Sequence, residues 1–333
     1  MRQRRFLTPA DLAKFDGGDG SNFADQAHAL LNQQKETWPM LRKGYDALAS
    51  LRTRSFPIDG THVVVQFNPG RIASTAAKVD DATIRARKCF LCIDHLPPEQ
   101  RGLPFEHDYV VLCNPFPIFP EHFTVARIQH TPQRILAHFP DMLDLAKAMR
   151  SRYSVFYNGP KCGASAPDHM HFQAYTRGQL PVEKNYDSMI AAHGNLLVND
   201  ELRITALSSS ILRILSLESD NAEELVRGFE HVYRSLGQFV PTDPEPMLNV
   251  LTSHDGEKWR VLIFPRIKHR PSFYFAEGDE RILLSPATVE LGGECSVPLE
   301  HDFNKLNVQH LLQMYQEVLI DPETLEDLGQ RLI

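Results

Sequence analysis

Two histidines and a glutamine alternate along one short stretch of the chain, His169-Met170-His171-Phe172-Gln173. In an extended strand every second side chain points to the same face, so we expect His169, His171 and Gln173 to lie side by side. One imidazole in such a group can attack phosphorus, while its neighbours hold it in place and donate hydrogen bonds to the phosphate oxygens. The pattern alone is weak evidence, because paired histidines on a sheet are more often structural.

A loop of small residues precedes this stretch. It runs from Asn158 to Pro167 and contains Gly163, Ala164 and Ser165. The backbone N–H groups of such a loop can surround an anion. The loop and the imidazoles together favour phosphate chemistry over a structural role.

A pair of cysteines, Cys89 and Cys92, forms a second candidate site. Their C-x-x-C spacing lets two thiolates bind one zinc ion from a tight turn. The sequence has no second C-x-x-C, so the remaining ligands are expected to be histidines, with His130 and His169 as first candidates. Three other histidines stay open as competitors: His95, His107 and His122. Plain cysteines are the alternative, and a redox pair is disfavoured because the motif does not lie at a strand-to-helix junction.

The composition is that of a soluble globular protein with one large domain or two ordinary ones: 333 residues, 42% hydrophobic and 23% charged. The net charge of -7 argues against general nucleic-acid binding. No run approaches the roughly 18 apolar residues of a membrane span, and the basic start Met1–Leu7 leads into no signal-peptide core. Five cysteines with one C-x-x-C fit a reducing compartment, so we expect a cytoplasmic protein.

The pattern of apolar residues places the candidate site in an antiparallel α+β unit. Residues 7–54 are predicted to be mainly helical. Thr131 is predicted to cap a helix that begins at Pro132, is interrupted at Pro140 and ends near Tyr153. The predicted strands, besides the histidine stretch, are Thr61–Phe67, Tyr109–Leu112, His122–Ile128 and Ser154–Tyr157.

The second half of the chain again combines helices and strands. Ala222–Phe239 is predicted to be an amphipathic helix, Pro246–Leu251 and Trp259–Phe264 a hairpin, and Lys305–Leu319 a last helix. No H-x-H recurs here, so this half is expected to shape or close the site. A basic cluster follows the hairpin and either binds a phosphate or forms a solvated edge: Arg266, Lys268, His269 and Arg270.

These residues resemble the nucleotidyltransferase branch of the histidine-triad superfamily, which carries H-x-H-x-Q where the hydrolases carry a third histidine. The galactose-1-phosphate uridylyltransferases pair a C-x-x-C with a distal histidine and with the first histidine of the H-x-H to bind zinc. The resemblance implies zinc ligands Cys89, Cys92, His130 and His169, with His171 as the nucleophile. It also implies contacts to the nucleotide phosphates from Asn158, Ser165 and Gln173.

A second resemblance is to the GDP-hexose phosphorylases (GDP-L-galactose and GDP-D-glucose phosphorylase). It lies in short stretches between about residues 60 and 295: Gln66–Arg71, Thr131–Ile135, His169–Tyr175, Leu180–Lys184 and Ser285–Gly293. These phosphorylases do not feature the C-x-x-C, and the uridylyltransferases usually have proline where Met170 stands.

The resemblance implies an α+β fold with a HIT-like antiparallel sheet and flanking helices. Two tandem HIT-like units are expected, of which only the first has the full motif. The expected division is a helical extension over 1–55, a catalytic domain over 56–195 and a degenerate domain over 196–333.

The implied activity is nucleotidyl transfer through a covalent nucleotidyl-His171, with Gln173 stabilising charge on the phosphate oxygens. The expected substrate-binding residues are Asn158, Gly163, Ala164, Ser165, Arg71 and Lys78. Phosphorolysis of a nucleoside diphosphate sugar is the first choice. The alternatives are a hexose-1-phosphate uridylyltransferase, a dinucleotide polyphosphate phosphorylase and a zinc-stabilised nucleotide-binding protein without turnover.

The expected partners follow from that chemistry. They are a nucleotide sugar or dinucleotide, a phosphate or sugar 1-phosphate acceptor and a structural zinc ion, with no nucleic acid and no membrane. A homodimer is left open.

Overall fold

The computed structural model describes residues 5–15, 22–76 and 79–333. The β-strands of these residues are β1 Arg52–Ile58, β2 Thr61–Phe67, β3 Gly102–Phe105, β4 Tyr109–Cys113, β5 His122–Arg127, β6 Tyr153–Asn158, β7 His171–Thr176, β8 Gly194–Asn199, β9 Arg203–Ser208, β10 Arg213–Ser219, β11 Leu248–His254, β12 Trp259–Pro265 and β13 Glu294–Val297. The α-helices are α1 Pro9–Leu12, α2 Phe23–Thr37, α3 Pro39–Leu48, α4 Ile72–Thr75, α5 Asp81–Ala86, α6 Phe139–Ala148, α7 Pro181–Lys184, α8 Tyr186–His193, α9 Ala222–Phe239, α10 Thr288–Leu291, α11 Glu300–Lys305, α12 Val308–Val318 and α13 Pro322–Gln330. Within these ranges, no helix combines the length and the apolar character needed to cross a bilayer.

A single antiparallel sheet of ten strands dominates the described residues, in the order β3-β4-β5-β7-β6-β11-β12-β10-β9-β8. The sheet consists of two halves of five strands, β3 to β7 and β8 to β12. In each half the first strand in the chain lies at the outer edge, and the fifth strand lies between the third and the fourth. The halves meet where β6 pairs with β11, and there Asn158 lies opposite Asn249. The predicted α+β class, with a large antiparallel sheet and flanking helices, is confirmed.

A smaller three-stranded sheet joins distant parts of the chain. Its order is β1-β2-β13, and β13 runs parallel to β2. We propose that the two halves of the large sheet correspond to the two predicted tandem units. The boundaries 56–195 and 196–333 remain predictions.

Helices α6 and α9 cover one face of the large sheet. Their Phe139 and Phe229 rings stack with centroids 3.8 Å apart, and Phe172 of β7 belongs to the same apolar core. Because side chains alternate along a strand, His171 and Gln173 of β7 point to the opposite face. The candidate chemistry therefore lies on a central strand, as predicted.

The prediction of a helix that begins at Pro132, with Thr131 as its cap, is wrong. The chain after β5 is not helical at Thr131, and α6 follows only after a 3₁₀ turn. The amide of Met170 donates to the carbonyl of Thr131 at 2.7 Å, and the amide of Gln133 donates to the carbonyl of Pro167 at 3.1 Å. These bonds tie the segment to the stretch before β7, and the carbonyl of Thr131 is the group that would otherwise accept the first hydrogen bond of the predicted helix.

Other predicted elements differ mainly at their ends. The bounds Thr61–Phe67 and Ala222–Phe239 are those observed. The helical region predicted over 7–54 ends earlier because β1 begins at Arg52. The last predicted helix, Lys305–Leu319, is observed as α12 and begins later, at Val308. The strands that the sequence did not reveal are β1, β3, β8, β9, β10 and β13.

Candidate active site

A cavity of about 530 Å³ opens over the H-x-H-x-Q strand, and its size is typical of small-ligand sites. Its lining includes both His171 and Gln173. Apolar side chains in the lining include Trp38, Met40, Phe90, Leu112 and Phe116. Charged side chains in the lining are Arg71, Arg87, Arg270 and Glu290. The lining therefore offers both apolar and cationic contacts, which suits a ligand with a ring and an anionic group.

His171 begins β7 and is only 4% exposed. Its Nδ1 lies 2.8 Å from the carbonyl oxygen of His169, an acceptor to which only a protonated nitrogen can donate. Burial lowers the pKa of His171 to about 4, so the imidazole is neutral near pH 7. The lone pair is therefore on Nε2, which makes no hydrogen bond with a described residue. The ring has the form that a nucleophile needs.

Gln173 is oriented by a buried histidine from the neighbouring strand. His122 in β5 is fully buried, and burial lowers its pKa to about 3. Its Nδ1 accepts the amide of Ile118 at 3.3 Å, so Nε2 carries the hydrogen and donates to Gln173 Oε1 at 3.0 Å. With its oxygen engaged, Gln173 presents its NH₂ group as a donor.

Gln133 joins the ends of two central strands. Its Oε1 accepts the amide of His171 at 2.8 Å. Its Nε2 donates to the carbonyls of His171 at 2.9 Å and of Asn158 at 3.1 Å. Gln133 is fully buried, so these bonds are shielded from water and hold the backbone of His171 against β6.

The small-residue loop approaches the C-terminal half closely at Gly163. This residue has φ +96°, and a Cβ on it would lie 2.6 Å from Cβ of Ala287. Gly163, Ala164 and Ser165 all line the cavity. The amides of Gly163 and Ser165 donate to no acceptor within the described ranges. The loop therefore has the N–H groups that an anion requires.

Asn158, at the end of β6, is oriented from the C-terminal half. Its Oδ1 accepts hydrogen bonds from Asn249 Nδ2 at 2.8 Å and from Thr288 N at 3.0 Å, and the Thr288 hydroxyl, whose one hydrogen is shared with the carbonyl of Tyr157, lies 2.7 Å away. The oxygen is saturated, whereas its Nδ2 donates to no described residue. Asn158 lines the cavity and is thereby left with two N–H donors.

Cys89, Cys92, His130 and His169 form a cluster whose ligand atoms all lie within 4.8 Å of one another. His169 Nδ1 lies 3.2 Å from Cys89 Sγ, 3.6 Å from Cys92 Sγ and 3.2 Å from His130 Nδ1. Tetrahedral bonds of about 2.3 Å to sulfur and about 2.0 Å to nitrogen separate ligand atoms by roughly 3.3–3.8 Å. The four side chains can therefore hold one metal ion. The competing His95, His107 and His122 lie outside this cluster.

His169 does not share the cavity face with His171, so that part of the strand prediction is wrong. It precedes β7 and is absent from the cavity lining. Its Nε2 donates to the carbonyl of Arg127 at 2.6 Å, which leaves the Nδ1 lone pair directed at the cysteines. The ring of His169 thus faces the cysteines, whereas the ring of His171 lines the cavity. The carbonyl oxygen of His169 connects the two residues by accepting a hydrogen bond from His171 Nδ1.

The two predicted cationic contacts have different outcomes. Arg71 lines the cavity, and its Nη1 donates to the carbonyl of Phe116 at 2.9 Å. Lys78 lies outside the described residues. A third cation, Arg87, was not predicted; it lines the cavity and donates to Asp168 Oδ1 at 2.7 Å.

The predicted basic cluster after β12 is not one site. Arg266 is fully buried, so it is neither a solvated edge nor a direct ligand contact. Lys268 is exposed, with its Nζ 3.5 Å from Glu317 Oε2. His269 and Arg270 line the cavity.

Sequence reasoning assigned no role at this site to His122 beyond a competing metal ligand, and none to Gln133, Asn249 or Thr288. Their roles depend on hydrogen bonds between residues distant in sequence. Gln133 lies in Thr131–Ile135, one of the stretches that resemble the GDP-hexose phosphorylases. The resemblance gave no chemical reason to single this residue out.

Comparison with known proteins gives partial matches. Residues 30–176 match a family described as a domain of unknown function, DUF4922. No curated protein matches the sequence. Among solved structures, yeast Ap4A phosphorylase Apa2 has a TM-score of 0.55 and 16% identity, over 85% of this chain and 94% of the other. The complex of Apa2 with AMP has a TM-score of 0.54 and 18% identity, over 85% of this chain and 94% of the other. The complex with Ap4A has a TM-score of 0.51 and 18% identity, over 84% of this chain and 97% of the other.

At such identities the likeness concerns the fold. It extends over most of both chains. The chain therefore shares the overall fold of yeast Ap4A phosphorylase Apa2 over most of its length.

Proposed function

We propose that this protein is a nucleotidyltransferase that acts through a covalent nucleotidyl-His171. The observation that carries the proposal is the state of His171: a buried, neutral ring, held through Nδ1 by the carbonyl of His169, in the wall of a cavity. A histidine held in this way is a nucleophile rather than a surface cation. The amide donors of Gln173 and Asn158 beside it suit the oxygens of a phosphate.

The reaction consists of two displacements at one phosphorus. His171 Nε2 attacks the α-phosphorus of a nucleoside diphosphate sugar, the bond to the bridging oxygen breaks, and a sugar 1-phosphate leaves. An oxygen of inorganic phosphate then attacks the same phosphorus, the P–N bond breaks, and a nucleoside diphosphate is released with His171 restored. The NH₂ groups of Gln173 and Asn158 and the loop amides stabilise the charge on the non-bridging oxygens.

Zinc is the metal we propose for the Cys89–Cys92–His130–His169 cluster, because two thiolates and two imidazoles are a preferred zinc ligand set. With four protein ligands the site is closed, so its role is structural. Its contribution to the chemistry is positional. The residue that binds the metal through its ring, His169, also provides the carbonyl that holds the Nδ1 proton of His171.

A dinucleotide polyphosphate is the second candidate substrate. The structural likeness that favours it is to yeast Ap4A phosphorylase, whose solved complexes contain AMP and Ap4A. The first displacement would then leave an adenylyl-His171, and the acceptor would again be phosphate. The neighbouring Arg71, Arg87 and Arg270 are compatible with either polyanionic substrate.

Intact-protein mass spectrometry tests the proposal. The protein is mixed with GDP-glucose, UDP-glucose or Ap4A without phosphate, and one substrate is expected to add the mass of its nucleotidyl group. Addition of phosphate should remove the adduct and release the nucleoside diphosphate.

Two variants accompany the measurement. His171→Asn should form no adduct, whereas His107→Ala, which removes an exposed histidine outside the cavity and the cluster, should form it normally. An adduct on His171→Asn would overturn the assignment of the nucleophile. Binding without any adduct would instead support a nucleotide-binding protein without turnover.

A further inference from the structure

Arg266 is a fully buried cation that forms no direct ion pair with a described carboxylate, although the carboxyl group of Glu290 acts on it at longer range. The residue is 0% exposed and follows directly after β12. No ion pair to it occurs among the described residues, and its five hydrogen bonds go to uncharged oxygens. Burying a charge in this way is costly, so a guanidinium that lacks a direct ion pair in a protein interior calls for a physical reason.

The acceptors of Arg266 lie directly behind the cavity wall. Nη1 donates to the carbonyl of Cys162 at 3.2 Å and of Pro286 at 2.9 Å, and Nη2 donates to the carbonyl of His269 at 2.6 Å. Cys162 immediately precedes Gly163, and Pro286 immediately precedes Ala287; both Gly163 and Ala287 line the cavity. One guanidinium thus holds three separate segments of the wall together and places a positive charge behind them.

A chain of hydrogen bonds leads from this charge into the cavity. Arg266 Nη1 donates to Asn249 Oδ1 at 2.9 Å, and Asn249 Nδ2 donates to Asn158 Oδ1 at 2.8 Å. Each donor polarises the next amide in the same direction. The final donor is the NH₂ group of Asn158, which has no partner among the described residues.

We propose that Arg266 is a positioning residue that strengthens phosphate binding through its charge, without touching the ligand. The inference rests on the proposed function, since it assumes a phosphate at the loop Gly163–Ser165. The charge of a bound phosphate compensates the buried guanidinium, and the Asn249–Asn158 chain directs the positive ends of two amides at it. In this way the C-terminal half, which lacks the H-x-H-x-Q motif, contributes to anion binding in the N-terminal half.

Two substitutions separate the charge of Arg266 from its hydrogen bonds. Arg266→Lys and Arg266→Gln both lose the planar fork of donors, but only lysine retains a positive charge. Titration calorimetry measures the affinity of each for AMP, GMP and UMP and for the three nucleosides. Arg266→Gln is expected to weaken monophosphate binding about tenfold or more, the effect of one partly screened charge nearby. Arg266→Lys is expected to stay within about threefold of the wild type, and nucleoside binding should change in neither.

Asn249 provides a second test in which Arg266 is untouched. Asn249→Ser removes the two donors of the amide, and Asn249→Asp removes them and also places a carboxylate beside the guanidinium. If the charge matters, Asp should weaken monophosphate binding clearly more than Ser does. This comparison decides the question even if a variant at Arg266 fails to fold, which melting curves would show.

The outcomes are distinguishable. Equal losses for Arg266→Lys and Arg266→Gln, equal losses for Asn249→Ser and Asn249→Asp, or parallel losses of nucleoside and monophosphate would show a purely structural role and overturn the inference. A wild-type protein that binds none of the six compounds would instead count against the proposed function.

Discussion

His122 Nε2 donates to Gln173 Oε1 across 3.0 Å, and this contact decides which end of the glutamine amide is presented to the cavity. The decision depends on the tautomer of His122, whose Nδ1 accepts the amide of Ile118. Burial holds the ring neutral, so the same tautomer persists over the whole physiological pH range. A residue outside the cavity lining thus determines that Gln173 presents its NH₂ group as a donor.

We therefore expect His122→Leu to slow formation of the nucleotidyl adduct. Without the imidazole, Gln173 loses one hydrogen bond and its amide can rotate, which corresponds to about tenfold in rate for a net bond of roughly 1.4 kcal/mol. His122→Gln retains an N–H donor and should stay within about threefold. Quenched-flow mass spectrometry with whichever compound of the proposed panel forms the adduct gives both rates. Equal rates for Leu and wild type would show that Gln173 needs no such orientation.

His122 also gives a prediction for stability against pH. Its folded-state pKa of about 3 lies below the unfolded value of about 6.5. Between these values the unfolded chain binds a proton at His122 that the folded protein excludes, so the free energy of unfolding falls as the pH falls from 6.5 towards 3. His122 is expected to contribute a slope of about 1.4 kcal/mol per pH unit to the free energy of unfolding in this range.

Urea unfolding at pH 6.0 and 5.0 measures this term. The wild type should lose about 1 kcal/mol more than His122→Gln over that interval, since glutamine does not titrate. Other buried groups titrate identically in both proteins and cancel in the difference. Parallel pH dependences would contradict the neutral, buried state of His122.

Much of the candidate site was legible from residue spacing. Alternation along a strand correctly paired His171 with Gln173, and the C-x-x-C with histidines correctly indicated Cys89, Cys92 and His130 as neighbours of His169. The first feature depends on the alternation of side chains along a strand, and the second on the residue types that zinc prefers as ligands. Both can be predicted from the residue types and their spacing alone.

The remaining features depend on tertiary contacts. The backbone at Thr131 pairs with the stretch before β7, and this contact overrides the capping signal of Thr131 and Pro132. Arg266 belongs to a basic run that resembles a solvated edge, yet its acceptors lie up to 104 residues away in sequence. Nothing in local composition distinguishes such a buried cation from a surface one.

Loss of the metal should both destabilise the protein and slow the chemistry. Cys89→Ser removes one of the four proposed ligands, and we expect it to lower the bound zinc from the proposed one ion per chain to less than about a tenth, and the melting temperature by about 10 °C. Because His169 would be released, the carbonyl that holds His171 would also move, and adduct formation should slow.

His107→Ala is the matched control for the metal. The residue is an exposed histidine outside the cluster, so zinc content by mass spectrometry and the melting temperature should be unchanged. Zinc retained at one ion per chain by Cys89→Ser would exclude the proposed ligand set.

Gly163 is expected to tolerate no side chain. Its φ of +96° disfavours any L residue, and a Cβ would meet Ala287 Cβ at 2.6 Å, so Gly163→Ala should strain the backbone and push the loop away from the C-terminal half. Gly256 is a control for the strain alone, because it has φ +112° and a Cβ on it would meet no atom within 4 Å. Gly256→Ala should cost about 1 kcal/mol of stability with nucleotide affinity unchanged.

Gly163→Ala should instead weaken monophosphate binding about tenfold in addition to its cost in stability, because the loop amides would leave the positions that face the anion. The double variant Gly163→Ala/Ala287→Gly removes the nearest obstructing atom, although Ala287 Cα would remain 3.2 Å away, so affinity should be partly restored. Calorimetric titration and urea unfolding of the four proteins measure the two effects separately. Equal nucleotide affinity in Gly163→Ala and Gly256→Ala would show that the close approach of Gly163 to Ala287 does not shape the anion site.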